Sequence, residues 1–224
     1  SNYGYGLEPE KAFNMGINFI HNFQLNNLPG SFSIDAYHTR FKQQVVVDVD
    51  ADAQKILFYN LTGKSYSNSL QAELNYQPVK NLDVRMAYRW LDVQTTYSTS
   101  VLAKPLLAKH RAFINLGYET NNHWKFDYTV QWFSKKRLPN TGSNPADKQL
   151  GTYSPAYLQM SAQVTKQFGK SWDVYIGAEN LTNYMQQRLI IAADQPFSKY
   201  FDASIVWGPM NGRIVYAGLR YKLK

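Results

Sequence analysis

Any chemistry in this chain would have to come from scattered groups. The four histidines, His21, His38, His110 and His123, stand far apart, without the i, i+4 spacing that sets two imidazoles on one helix face around a metal. No cysteine is present, which excludes disulfide frameworks and zinc–thiolate sites. No histidine sits beside a nucleophile or an activating carboxylate, so an enzyme is not expected. No cofactor or metal is expected either. What remains is suited to binding and positioning. It comprises the charged residues Glu73, Arg85, Arg89, Asp127, Glu179 and Arg220, the basic run Lys135-Lys136-Arg137, and the aromatics Phe197, Tyr200, Phe201 and Trp207 near the C-terminus.

Such groups need elements to hold them. With 224 residues, 44% hydrophobic and 15% aromatic, the chain has the length of one domain and too much apolar surface for disorder. No run reaches the roughly 18–20 apolar residues of a spanning helix. The start, Ser1-Asn2-Tyr3-Gly4-Tyr5-Gly6, has neither the basic nor the apolar segment of a signal peptide. The net charge of +8 is spread thinly and no nucleic-acid recognition motif accompanies it, so nucleic acid is not an expected partner.

Period two dominates. Tyr66, Asn68, Leu70, Ala72, Leu74 and Tyr76 alternate with Ser67, Ser69, Gln71, Glu73, Asn75 and Gln77. Leu82, Val84, Met86, Tyr88 and Trp90 alternate with Asp83, Arg85, Ala87 and Arg89, and Trp124–Trp132 repeats the pattern most cleanly. Similar alternation runs through Phe13–Leu25, Phe32–His38, Ala112–Tyr118, Leu158–Phe168, Trp172–Ala178 and Val215–Leu223, which predicts an all-β chain of about nine long strands. Short turns are expected near Asn26–Gly30, Pro78–Asn81, Thr120–Asn122 and Gly169–Lys170. Long polar loops are expected near Asp48–Lys64, Thr99–Lys109, Lys136–Thr152 and Tyr184–Gly212. Short turns at one end and long loops at the other describe an antiparallel up-and-down meander of the outer-membrane kind.

The apolar faces carry aromatics at their ends. Tyr76, Tyr118, Trp124, Phe168 and Trp172 lie beside the short turns, and Trp90 and Trp132 lie eight residues along their strands. Eight tilted residues span roughly 21 Å, close to the apolar band of a barrel wall, so the two rows predict an aromatic girdle. The opposite, polar face then meets water or a polar plug. A soluble β-protein would instead turn the tryptophans inward into one small core and use strands nearer five or six residues.

With the short turns on the periplasmic side, the last strand runs toward the periplasm and so does the first, leaving Ser1–Glu10 outside the cell. A complete barrel has an even strand count and starts in the periplasm. Nine strands with an external start therefore predict the C-terminal portion of something larger, left as an open, strongly curved meander.

Particular motifs agree. Tyr200-Phe201-Asp202-Ala203 through Trp207-Gly208-Pro209, then Gly212-Arg213 and Tyr216-Ala217-Gly218-Leu219-Arg220-Tyr221, resemble the end of a TonB-dependent outer-membrane receptor. Gly177-Ala178-Glu179-Asn180-Leu181-Thr182-Asn183 resembles that family's penultimate-strand motif, and Leu7-Glu8-Pro9-Glu10-Lys11 its lead into a mid-barrel strand. The resemblance covers the whole chain. It implies that residues 1–224 are the C-terminal part of a 22-stranded transmembrane β-barrel, the plug domain and earlier strands lying elsewhere. It also implies a Gram-negative outer-membrane receptor for a scarce nutrient such as an iron–siderophore, heme or cobalamin. The partners implied are the receptor's own plug, the TonB complex, the small ligand, and outer-membrane lipid with lipopolysaccharide. Lys224 departs from the usual terminal aromatic, and the outward series Val215, Ala217, Leu219, Tyr221, Leu223 reads as a shifted insertion signal. In such a barrel the Asn60-Leu61-Thr62 and Asn180-Leu181-Thr182 glycosylation patterns are incidental.

Within this frame, Tyr76 is expected to pair with Leu82, setting Glu73 against Arg85 on the polar face. With Arg89, Asp127, Glu179 and Arg220, that pair would line the lumen and dock the plug, or form a solvated wall. Lys136, by its even phase, and Arg137 are expected at the external rim against lipopolysaccharide phosphates. Phe197, Tyr200, Phe201 and Trp207 belong to the last external loop; those inside the shared motif read as structural, which leaves the ligand contacts unlocated. A small autonomous barrel, an adhesin or passive pore without energy coupling, is the rival.

Overall fold

Alternating residues become strands wherever one face can be wholly apolar and the other polar, and in this protein that happens nine times in succession. The computed structural model describes residues 4–98 and 100–223; Ser1–Tyr3, Thr99 and the expected terminal Lys224 lie outside the described residues. The strands are β1 (Lys11–Leu25), β2 (Leu28–Gln43), β3 (Val45–Asp48), β4 (Leu57–Asn60), β5 (Ser65–Val79), β6 (Leu82–Tyr97), β7 (Ser100–Ala103), β8 (His110–Glu119), β9 (Trp124–Phe133), β10 (Tyr157–Phe168), β11 (Trp172–Glu179) and β12 (Ile214–Tyr221). They form an all-β antiparallel meander in the order β1-β2-β5-β6-β8-β9-β10-β11-β12, open between its edges β1 and β12. β7 folds back on β6, and β3–β4 makes a separate hairpin. These three short strands lie where loops and strand ends were expected.

The turns explain the boundaries. Asn26 and Asn27 both take positive φ (52° and 61°), the mirror-image geometry that matches strand twist in a two-residue hairpin. β2 therefore starts at Leu28, and Pro29 and Gly30 belong to it rather than to the turn. Pro29 is tolerated because only β1 pairs with it; β5 joins from Gly30 onward. Asn81 (φ 67°), His123 (φ 60°) and Gly169 (φ 57°) close the other short turns.

One register differs from expectation. Val79, not Tyr76, faces Leu82, and Tyr76 faces Val84. The ladder breaks between Tyr76 and Val79 because Pro78 has no N–H to donate; the one-residue bulge there, with the tight turn after Val79, leaves Tyr76 opposite a residue two beyond its expected partner. Glu73 consequently lies directly opposite Ala87. β11 runs one residue past the expected Trp172–Ala178, and β12 starts one residue before and ends two before the expected Val215–Leu223.

Register carries the two faces across the whole sheet. One row runs Tyr76–Val84–Leu116–Tyr128–Ala162–Ala178–Val215, and its neighbours are equally apolar. Among the described residues no second layer covers these rows: Trp124, Trp132 and Trp172 remain 42%, 36% and 43% exposed, which is not the buried tryptophan core of a soluble fold. Among the described residues the one buried apolar cluster sits at the loop end of the sheet. It consists of Leu138, Tyr157, Ile191, Ala192, Ile205 and Trp207, with Phe133, Tyr184 and Tyr200 packed against it.

Candidate functional site

Two regions hold the charged and aromatic candidates: the polar face of the sheet and the loop rim. On the polar face all six expected residues are present, since Glu73, Arg85, Arg89, Asp127, Glu179 and Arg220 share its phase through continuous pairing. They do not converge. Glu73 and Arg85 do meet despite the changed register, because the guanidinium reaches diagonally: Nε donates to Oε1 and the terminal nitrogen to Oε2, both at 3.1 Å. Asn75 donates to the same carboxylate at 2.9 Å, and the Arg85 guanidinium also lies 5.5 Å from the Phe113 ring centre. Arg220 reaches only to 4.0 Å from Asp173, which Lys222 approaches to 3.1 Å. Asp127 opposes Gly117 and Gln163, and Glu179 opposes Ile214.

The aromatics expected to form a girdle lie on the apolar face. Trp124 stacks on Phe126, Trp172 tilts against Tyr221 with ring centres 4.6 Å apart, and Lys166 lies over Trp124 and Phe168. Tyr76 and Tyr118 continue that row at the short-turn end, and Trp90 and Trp132 mark the loop end. His21 stacks between Phe19 and Phe23 on this face, while His38 binds Asn68 at 2.6 Å. Among the described residues no three His, Asp or Glu side chains are grouped so as to hold a metal ion.

At the rim the structure corrects the expectation for Lys136 and Arg137. Neither points outward toward lipopolysaccharide. The Lys136 ammonium is half-buried against the Phe133 and Tyr157 rings, 5.6 and 5.3 Å from their centres, and donates to the Trp207 carbonyl and to the Tyr157 hydroxyl. Burial, and then the charge of Arg111, holds its pKa below the ordinary lysine value. Arg137 forms a two-pronged pair with Asp50, both contacts 2.8 Å, with the two side chains only 11% and 9% exposed. Its Nε donates to the Ala103 carbonyl at 2.6 Å.

Around these cations the loops stitch together. Phe133, Tyr157 and Tyr184 stack in series at 4.9 and 5.4 Å, with Trp207 tilted against the last two. Buried Gln186 bridges one loop internally: its Oε1 accepts from the Trp207 and Gly208 amides and its Nε2 donates to Ile205. Asp48 accepts from the Asp50 and Ala51 amides, the Tyr59 hydroxyl at 2.7 Å and Ser98. Burial works against its charge, yet those donors outweigh it and keep its carboxyl below the usual aspartate range. Asn180 ends β11 in a left-handed conformation (φ 50°) and donates to the Tyr184 and Asn211 carbonyls, closing the base of the last loop. Of the loop aromatics, Trp207 is buried, Phe201 partly exposed, and Phe197 fully exposed. Lys148 and Lys199 lie over the Tyr200 ring. A cleft of about 330 Å³ opens between the segments around Gln54, Asn140 and Phe201. Asp50 and Gln186 could not be found in the sequence because their side-chain partners are remote along the chain, and Asp48 because Tyr59 and Ser98 reach it only once the hairpin has folded; only the Asp-Val-Asp run gave a local sign.

Comparisons with known proteins place this geometry. No curated protein matches the chain in sequence. Among solved structures it resembles the ferric-catecholate import receptor Fiu of E. coli K12, with TM-score 0.67 and 11% identity over 99% of this chain and 29% of that one. The ferric enterobactin receptor PfeA of Pseudomonas aeruginosa gives 0.64 and 15% over 96% and 31%. The FrpB iron transporter of Neisseria meningitidis gives 0.64 and 14% over 96% and 31%. The chain thus spans about a third of the length of each, and at these identities the likeness is one of fold. A sequence-family model described as TonB dependent receptor-like, beta-barrel, matches residues 1–181, which takes in the Asn180-Leu181 turn but not the final loop and strand. That match supplies the relationship which fold likeness alone does not: the chain belongs to the TonB-dependent receptor-like β-barrel family.

Proposed function

We propose that this chain is part of the wall and outer rim of a Gram-negative outer-membrane receptor that takes up a scarce nutrient, with energy supplied through TonB and a plug domain. Iron–siderophores, heme and cobalamin are the substrate classes to test first. The observation that carries the reading is the single-layer sheet: among the described residues its predominantly apolar face has no protein cover, and its other face is polar and charged. An apolar face of this kind is at rest only against lipid. The polar face then lines the lumen, where Glu73–Arg85, Asp127, Glu179 and Arg220 are placed to meet the plug. The loop rim faces the medium, and its aromatic and cationic groups are the part of the chain that an arriving ligand meets first.

Deleting the gene and measuring growth on each iron–siderophore, heme or cobalamin as sole source tests the function. Loss of growth on one source, reproduced by deleting TonB, is the expected result. Growth or uptake that survives loss of TonB overturns the energised reading in favour of a passive pore.

A further inference from the structure

The polar face contains a charge arrangement that the rest of the wall does not repeat. Arg89 on β6 and Arg111 on β8 are direct partners in the ladder, on the same face. Side chains so opposed have Cβ atoms about 4.5–5.5 Å apart, and like charges there repel. Two other arginines are neutralised by a carboxylate at close range, Arg85 by Glu73 and Arg137 by Asp50. Among the described residues no carboxylate lies within ion-pair distance of Arg89 or Arg111. Arg111 donates only to the neutral Gln131, at 2.9 Å, and rests over the Phe133 ring at 4.6 Å. The acid in the same row is Asp35, beyond Gln71 and so two strands from Arg89, and it is bound by Asn18. Lys136 lies over the other neighbour of that ring, adding a third positive charge on the loop side.

The pair also flanks a hollow. Ala87 leaves a gap between Arg85 and Arg89, and a notch of about 210 Å³ opens there, lined by Gln71, Glu73, Arg85, Arg89, Arg111 and Phe113, with the Glu73 carboxylate already held by Arg85. Guanidinium forks, an amide and an aromatic ring around a small hollow are the groups that recognise carboxylates and phosphates.

We propose that Arg89 and Arg111, with Gln71 and the Phe113 ring, form a site for a soluble anionic ligand bearing two carboxylate or phosphate groups, reached from the loop end of the polar face. The site rests on the reading of that face as a water-filled lumen. A dianion bridging the two guanidiniums removes their repulsion and gains two charge-assisted contacts, whereas a neutral ligand does neither.

The test uses the receptor in native outer-membrane vesicles, labelled with phenylglyoxal and read arginine by arginine by mass spectrometry, with malonate as the dianion. Arg89 and Arg111 are expected to react without malonate and to slow roughly tenfold at malonate ten times its dissociation constant. Arg220, on the same face but at the short-turn end, is expected to react equally with and without it. Arg111→Gln is expected to abolish protection of Arg89, and Arg111→Lys to retain part of it. Malonate-independent reaction overturns the proposal. So does a reactive Arg220 beside an Arg89 and Arg111 that never react, since the receptor's own chain then fills the notch. Silence of all three arginines instead overturns the lumen reading itself.

Discussion

The wall and the rim of this chain are built on opposite rules. In the wall, cohesion is almost entirely backbone ladder: β1 has Ile17 at 75% exposed, and across nine strands each apolar row is left bare. In the rim there is little ladder, yet Ile191, Ile205, Leu138 and Trp207 are 2–6% exposed and the polar groups Asp48, Asp50 and Gln186 have several partners each. The rim is folded like a small water-soluble domain; the wall, on the proposed reading, is folded for a solvent that is itself apolar. The difference teaches that exposure has opposite meanings in the two regions. An exposed isoleucine is a weak point in a soluble surface and the expected state of a lipid-facing strand.

That contrast can be broken by experiment. The largest effect is expected at Arg137. Its removal as Arg137→Ala leaves Asp50 buried without its partner, a loss of about 3–5 kcal/mol. Hydrogen exchange should rise in the loops 44–64 and 134–156 and stay unchanged in β8 and β9. Exchange rising equally in the wall would show that the two regions are one cooperative unit. Next is Ile114→Arg on the apolar face, expected to cost about 2–4 kcal/mol in a bilayer although Ile114 is already exposed. The same change at its neighbour Asn115, on the polar face, should cost far less. Equal costs in refolding titrations into lipid vesicles would remove the assignment of faces.

Asp48→Asn is expected to loosen the β3–β4 hairpin by about 1–3 kcal/mol, because a neutral amide cannot accept from all the donors that hold the carboxylate. The same contact is sensitive to pH. With its folded pKa lowered, Asp48 contributes stability fully above its unfolded pKa and loses it as pH falls through the lower folded value. Loop proteolysis should therefore speed up in wild type only at strongly acid pH and be flat across that range in the variant. A wild-type rate independent of pH would exclude this role. The smallest effect is expected at Glu73→Gln, about 1 kcal/mol or less, since Arg85 is half-exposed and water screens the pair. A large loss there would mean that wall side chains carry more of the stability than the ladder.

Legibility followed the same division. The nine wall strands could be read because alternation is a local signal with a period of two, and each strand announced itself within a dozen residues. The Tyr76 register was lost to a single bulge at Pro78, which shifts pairing without disturbing the alternation on either side. Lys136 was misplaced for a different reason. Its phase was carried past Phe133, where β9 ends and only an isolated bridge to Ala108 continues the pairing, and its long side chain folds back over the Phe133 and Tyr157 rings, which a count by twos does not reveal. The rim could not be read because its contacts join residues far apart, such as Arg137 with Asp50 and Gln186 with Ile205, and neither partner's neighbours hint at the other. On the polar face the strand phase of each charged residue is a local signal, but the opposition of Arg89 and Arg111 depends on which strand follows β6 in space, since β7 intervenes in the chain.

The tight turns at Asn26–Asn27, Asn81, His123 and Gly169 also set an order of assembly. Each joins two wall strands through a handful of residues, so β1–β2, β5–β6, β8–β9 and β10–β11 are hairpins whose closure costs little chain entropy and whose formation is fast. Joining one hairpin to the next requires a long loop to close and should be slower. β12 alone has no such partner in this segment: it reaches β11 only across residues 180–213. Its docking therefore waits on that loop, and the hydrogen bonds of Asn180 to Tyr184 and Asn211, which shorten the effective tether, act on the rate of wall completion as much as on its stability.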